Sequence, residues 1–281
     1  MNYYCLIAGL PEIGFDDVKS GIAVAAFRTE LQSVLSKNDQ RLIDLYFTRF
    51  DNDNLLRYLK NKDAAHDERG NLTREELEDG LVLLREDSEG ANRFAKLPPY
   101  FKVFMEEYAQ AQHTDELLWE NRLTELYYRW AMGCGNKLIS DWFELNLDMN
   151  NILAGYACRR HNTALTGVVG ENEVATSVRT SSQRDFGLTG TFNYLAEVQR
   201  ISDETDLYER ERKTDLLRWQ WLDDKAFFKY FSIERVFACL VKVEIVERWA
   251  SLDRENGRKL FREWMDGLKN TVVNKGTVNK I

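Results

Sequence analysis

Apolar positions recur along most of this chain at the spacing of amphipathic helices. Residues 15–34 read as a first helix, with Val18, Ile22, Ala25 and Leu31 among its apolar positions. The run 3–10 is too short to decide between a strand and a buried helix start. Residues 42–50 and 53–62 read as two helices, followed by a polar loop through Gly70. Thr73 and Glu76 then form a capping box that opens a helix to about Leu84. A turn-rich linker over 87–99 leads to helices over 101–111 and 115–132. The second of these carries the stripe Trp119, Leu123, Leu126, Tyr127 and Trp130. Gly133-Cys134-Gly135 marks a helix end or a close-packing point, and the helical pattern resumes over 138–145 and 150–160. Residues 163–191, rich in Gly, Ser and Thr, read as a long connection with room for one short helix. Helical patterning returns from Asn193, with a highly charged stretch over 197–223, a strongly amphipathic helix over 232–252 and a last helix over 254–269. Residues 271–281 have no period and read as a loose tail.

One pattern occurs three times: Phe50-Asp51-Asn52-Asp53-Asn54-Leu55-Leu56, Leu147-Asp148-Met149-Asn150-Asn151-Ile152-Leu153 and Phe231-Ser232-Ile233-Glu234-Arg235-Val236-Phe237. Each has an apolar residue, a side chain able to cap a helix, then a polar or mixed stretch ending in two apolar residues. The spacing predicts a helix start at Asp51, Asp148 and Ser232. It also predicts hydrophobic staples pairing Phe50 with Leu55, Leu147 with Ile152 and Phe231 with Val236. Asn54 and Asn151 hold the same place in the first two copies. The copies lie too far apart for a solenoid repeat and fit three small helical subdomains, over about 1–95, 96–192 and 193–270.

Composition agrees with an all-α chain. Only three of 281 residues are proline, and 44% are hydrophobic against 30% charged. The net charge of −8 argues against a general nucleic-acid binder, which needs a cationic face. Arg159-Arg160-His161 is one candidate for a local basic patch, and it reads as a solvated helix end whose cations offset the dipole. The four cysteines form no C-x-x-C pair, so they read as free thiols. The opening residues lack the basic region of a secretory signal, and no apolar stretch approaches the ~20 residues that span a bilayer. The expectation is a soluble chain with no direct membrane insertion.

The motifs that suggest chemistry are incomplete. Asp51-Asn52-Asp53-Asn54 starts like a calcium loop, but leucine stands at its fifth and sixth positions. His66-Asp67 resembles the metal-binding pair of HD-type phosphohydrolases, yet no histidine precedes His66 to complete it. Asp223-Asp224 lacks a third aspartate, and Gly167-Val168-Val169-Gly170 lacks the lysine of a phosphate loop. Cys134 has no readable base, and Trp219 and Trp221 read as core or partner anchors. The expectation is no catalytic residue, no cofactor and no metal.

The chain resembles the C/d-type subunits of V-type ATPases, and more closely a small bacterial family of uncharacterised proteins encoded among V-type ATPase subunits. The resemblance rests on the Tyr-rich opening Tyr3-Tyr4-Cys5-Leu6-Ile7-Ala8-Gly9-Leu10-Pro11. It rests also on Asp51-Asn52-Asp53-Asn54-Leu55-Leu56, similar to the signature Asp-x-x-Asn-apolar-apolar, on the second copy over 148–153, and on 231–249. It implies three similar helical bundles arranged as a funnel. It implies a mechanical, non-catalytic role linking the central stalk to the membrane rotor ring, at the cytoplasmic face through partner subunits. An assembly or regulatory adaptor of the same complex and an all-helical metal-dependent hydrolase using His66 and Asp67 are the alternatives.

Overall fold

Side-chain caps, rather than the repeated pattern, open the two long helices that hold its first two copies. The computed structural model describes residues 3–17, 23–85, 96–110 and 115–252. Among these the chain forms α1 (Tyr4–Ala8), α2 (Val24–Val34), α3 (Lys37–Lys60), α4 (Arg74–Arg85), α5 (Tyr100–Gln110) and α6 (Glu116–Met132). It continues with α7 (Lys137–His161), α8 (Glu173–Thr180), α9 (Leu195–Asp203), α10 (Leu207–Ala226) and α11 (Ile233–Ser251). No strand occurs among the described residues, so the fold is all-α. The run at 3–10 resolves as the short helix α1. The expected helix over 254–269 and the tail over 271–281 lie outside the described residues, as do 18–22 of the first expected helix and most of the linker over 87–99.

The expected helix starts at Asp51 and Asp148 are corrected. Both residues lie inside single long helices, α3 and α7, which join segments read separately in the sequence. The true starts lie further upstream. Ser36 Oγ accepts from Asp39 N at 3.2 Å, and Asn136 Oδ1 accepts from Ile139 N at 3.2 Å. No Gly or Pro interrupts either helix near its aspartate, and an interior Asp costs only a few tenths of a kcal/mol in propensity. Phe50, Leu55, Leu147 and Ile152 are therefore buried residues of continuous helices, not staples across a helix entry. Ser232 does stand at the start of α11, but its hydroxyl is buried and makes no cap bond. Phe231 is partly exposed and packs on Tyr4, with ring centroids 4.4 Å apart and ring planes tilted by 41°.

Other local expectations hold. Thr73 N donates to Glu76 Oε2 at 3.0 Å and Glu76 N to Thr73 Oγ1 at 3.2 Å, completing the capping box of α4. In α6, Trp119, Leu123, Leu126 and Tyr127 are buried. The long connection contains α8, capped by Asn172.

Helix α7 is the hub, packing against α6, α8, α9 and α11. Helix α3 lies on α6, and α11 lies on α2 and α10. A single apolar cluster runs from Tyr3 to Trp249 and crosses both expected subdomain boundaries. Two tyrosines tie distant helices across it. Tyr127 Oη donates to Leu45 O at 2.9 Å, and Tyr46 Oη to Glu244 Oε2 at 2.8 Å.

Candidate functional site

The polar residues of the first two copies share one task. Asn54 Oδ1 accepts from Asp67 N at 2.8 Å, while its Nδ2 donates to Asp67 O at 2.9 Å. Asn151 does the same for Val169, with both bonds at 2.8 Å. Each asparagine thus stands in for a backbone partner that a loop residue would otherwise lack. One turn earlier, Asp51 accepts from Asn71 N at 2.9 Å, Leu72 N at 3.0 Å and Asn71 Nδ2 at 2.9 Å. In the second copy Asp148 accepts from Asn172 Nδ2 at 2.7 Å. Helices α4 and α8 begin immediately after these loops. An arginine grips each loop as well: Arg28 donates to the carbonyls of Arg69 and Gly70, and Arg179 to those of Val168 and Gly170. The unit is a long helix, a loop pinned through Asp-x-x-Asn, and a second helix.

Burial dominates the electrostatics of both aspartates. It pushes the Asp51 carboxyl up to about 6 against the pull of the Leu72 and Asn71 donors. It pushes Asp148 to about 6 against its bond from Asn172, with the Glu144 charge adding to the rise. Gly70 seals the first clamp, since a Cβ there would lie 2.3 Å from Asp51 Oδ1.

The third copy makes no such clamp. Its place is taken by Asp215, inside α10 and 2% exposed, a residue the repeated pattern did not mark. Asp215 accepts from Trp249 Nε1 at 2.9 Å and from Arg248, tying α10 to α11, and pairs with Arg218 at 3.0 Å. The available sequence signal was an aspartate placed between the apolar turns of an otherwise charged helix.

The hydrolase pair is occupied by structure. His66 Nε2 lies 2.9 Å from Leu72 O and 3.3 Å from Asn54 Nδ2, so protein groups already engage that nitrogen. Arg69 clasps Asp67 and holds its carboxyl at about 2. No group of three or more His, Cys, Asp and Glu that could hold a metal is found among the described residues. Arg159 and Arg160 are not simply solvated. They donate to carbonyls of Ser181, Gln183 and Ser202, pinning the connection after α8 and the end of α9.

The turn between α10 and α11 presents Phe227, Phe228 and Tyr230 to solvent at 62%, 79% and 65% exposure. Tyr4 of α1, 56% exposed, extends this surface by packing on Phe231. Phe231 adopts φ +55°, costly for a bulky side chain, and its carbonyl accepts from Tyr3 N at 2.9 Å. The turn is thus fixed while its rings remain outside the core. A cleft of about 1010 Å³ lies between the start of α3, Pro98-Pro99 and the 133–136 turn. Its one thiol, Cys134, is pushed up by burial and stays protonated.

A family model described as a protein of unknown function (DUF2764) matches residues 1–272, so the chain belongs to that family. No curated protein matches the chain.

Proposed function

We propose that this member of the DUF2764 family is a non-catalytic coupling subunit of a rotary V-type ATPase or ATP synthase, seated between the central stalk and the membrane rotor ring. The observation that carries the reading is the double use of Asp-x-x-Asn. The signature behind the resemblance to the C/d-type subunits pins a loop between two helices at 51/54 and again at 148/151. A part that transmits torque needs loops that do not yield, and buried, paired polar groups stiffen them. The exposed aromatic turn supplies anchors of the kind that dominate interface energetics. The same proposal includes a funnel of three similar bundles, with α10 and α11 as the divergent third copy. It also places the protein at the cytoplasmic face of the membrane through its partners. No helix among the described residues is long and apolar enough to cross a membrane.

The test is recovery of tagged protein from gently solubilised native membranes with quantitative mass spectrometry. Stoichiometric stalk and rotor-ring subunits support the coupling role, whereas substoichiometric recovery points to an assembly adaptor. Phe228→Ser is expected to reduce recovery of the partner subunits at least ~10-fold while leaving the melting temperature unchanged, because the ring contacts solvent rather than core. Wild-type protein recovered without either partner overturns the proposal.

A further inference from the structure

An interior cavity of about 390 Å³ opens where α3, α6, α7, α10 and α11 converge, a volume within the ~300–1,000 Å³ range of small-molecule sites. Four guanidiniums line it, those of Arg49, Arg69, Arg218 and Arg248, against the two carboxylates of Asp215 and Glu244. Within the lining itself the cations outnumber the carboxylates two to one, in a chain of net charge −8.

Both carboxylates are already engaged. Glu244 accepts from Arg49 at 2.6 Å and from Tyr46 at 2.8 Å, and Asp215 is held by Arg218, Arg248 and Trp249. Three acids outside the lining act on these arginines: Asp67 clasps Arg69, Glu211 stands 3.9 Å from Arg248, and Asp53 feels the charges of Arg49 and Arg69. The guanidiniums retain donor capacity. Arg218 spends Nε on Asn146 and Nη1 on Asp215, and its Nη2 meets no acceptor among the described residues. Arg49 and Arg69 both sit over the ring of Phe50, at 4.6 and 4.2 Å from its centroid. That shared platform holds two like charges at one mouth of the cavity. Aromatic side chains form much of the remaining wall, among them Tyr127, Tyr128, Trp142 and Phe143. Guanidiniums with spare N–H groups bind oxyanions in forked geometry, and aromatic walls take up flat rings.

We propose that this cavity binds a small phosphate ester carrying an aromatic ring, of the size of a mononucleotide, with the arginines on the phosphate and the aromatic wall on the ring. The site stands independently of the docking role, since it rests on none of the residues of the aromatic turn.

The full chain is titrated with adenosine monophosphate, inorganic phosphate and adenosine at constant ionic strength. Binding is read by calorimetry and by quenching of tryptophan fluorescence, because Trp142 faces the cavity. The monophosphate is expected to bind, with phosphate and adenosine each at least ~10-fold weaker, since each offers one half of the recognition. Arg69→Gln is the informative variant, because its side chain is 67% exposed, and circular dichroism reads any loss of its contacts with Asp67 and Phe50 separately from binding. It is expected to weaken the monophosphate at least ~10-fold while keeping the wild-type helix content. Inorganic phosphate binding as tightly as the monophosphate overturns the aromatic half of the assignment. Absence of binding by the wild-type protein, or full affinity in Arg69→Gln, overturns the site.

Discussion

At the scale of single residues, the aspartates inside α3 and α7 show how a tertiary contact can outweigh a burial cost. Each carboxylate loses water and recovers only part of that loss from the loop it holds. Asp148 receives one donor against three for Asp51, so it is the better site for a test. Its folded carboxyl, at about 6, lies above the ordinary 3.8, so the folded state binds this proton more tightly than the unfolded chain does. Its contribution to stability therefore falls as pH rises from about 4 to about 6. Asp148→Asn keeps an oxygen for the Asn172 amide and removes the charge. The variant is expected to gain on the order of 1–2 kcal/mol over wild type at pH 7.5, with the gain vanishing near pH 4. Urea midpoints at the two pH values check this, and an unchanged pH slope would remove burial as the cause. The same replacement at Asp51 is not equivalent. A new amide there would face Asn71 Nδ2, whose other bonds to Asp44 O and Thr48 Oγ1 keep it from turning.

At the scale of elements, the close seating of α8 on α7 depends on Gly155. A Cβ at that position would lie 2.6 Å from Val178 Cγ1 and 2.8 Å from Phe186 Cζ. Arg159, one turn later on α7, covers the other side of Phe186 at 3.7 Å from its centroid and donates to carbonyls of the following segment. Helix propensity alone favours Gly155→Ala by roughly 1 kcal/mol. Overpacking against two side chains that are themselves buried outweighs that gain, and the expected net loss is about 1–3 kcal/mol. Chemical denaturation reads the difference, and a neutral or stabilising result would mean that α8 shifts to make room.

At the scale of the whole molecule, one apolar interior joins helices that the repeated pattern assigned to separate units. Helix α11 touches both α2 and α7, and α3 meets α6. Arg49 and Tyr46 on α3 also meet Glu244 on α11, nearly two hundred residues away in the chain. A shared core predicts cooperative loss of structure. Far-ultraviolet circular dichroism and tryptophan fluorescence are expected to report one coincident transition, since tryptophans are buried in α6, α7, α10 and α11. Separate transitions would mean that each third of the chain keeps its own core. The aromatic turn and the arginine cavity belong to this scale too. Each gathers residues from distant elements: Tyr4 with the 227–231 turn, and five helices around four guanidiniums.

The sequence by itself determined the helical class, the capping box at Thr73, the buried stripe of α6 and the importance of the 51–54 and 148–151 segments. All of these depend on local spacing, propensity and composition, which the chain carries at every point. Only the tertiary structure decided what those segments do. A capping residue and a buried loop clamp use the same short polar side chains, and the difference lies in where the N–H donors come from. At Asp51 they come from Asn71 and Leu72, about twenty residues further along the chain, and at Asn151 from Val169. Asp215, the Arg49–Glu244 pair and the basic cavity were equally beyond local reading, because their partners meet only after the long helices have packed.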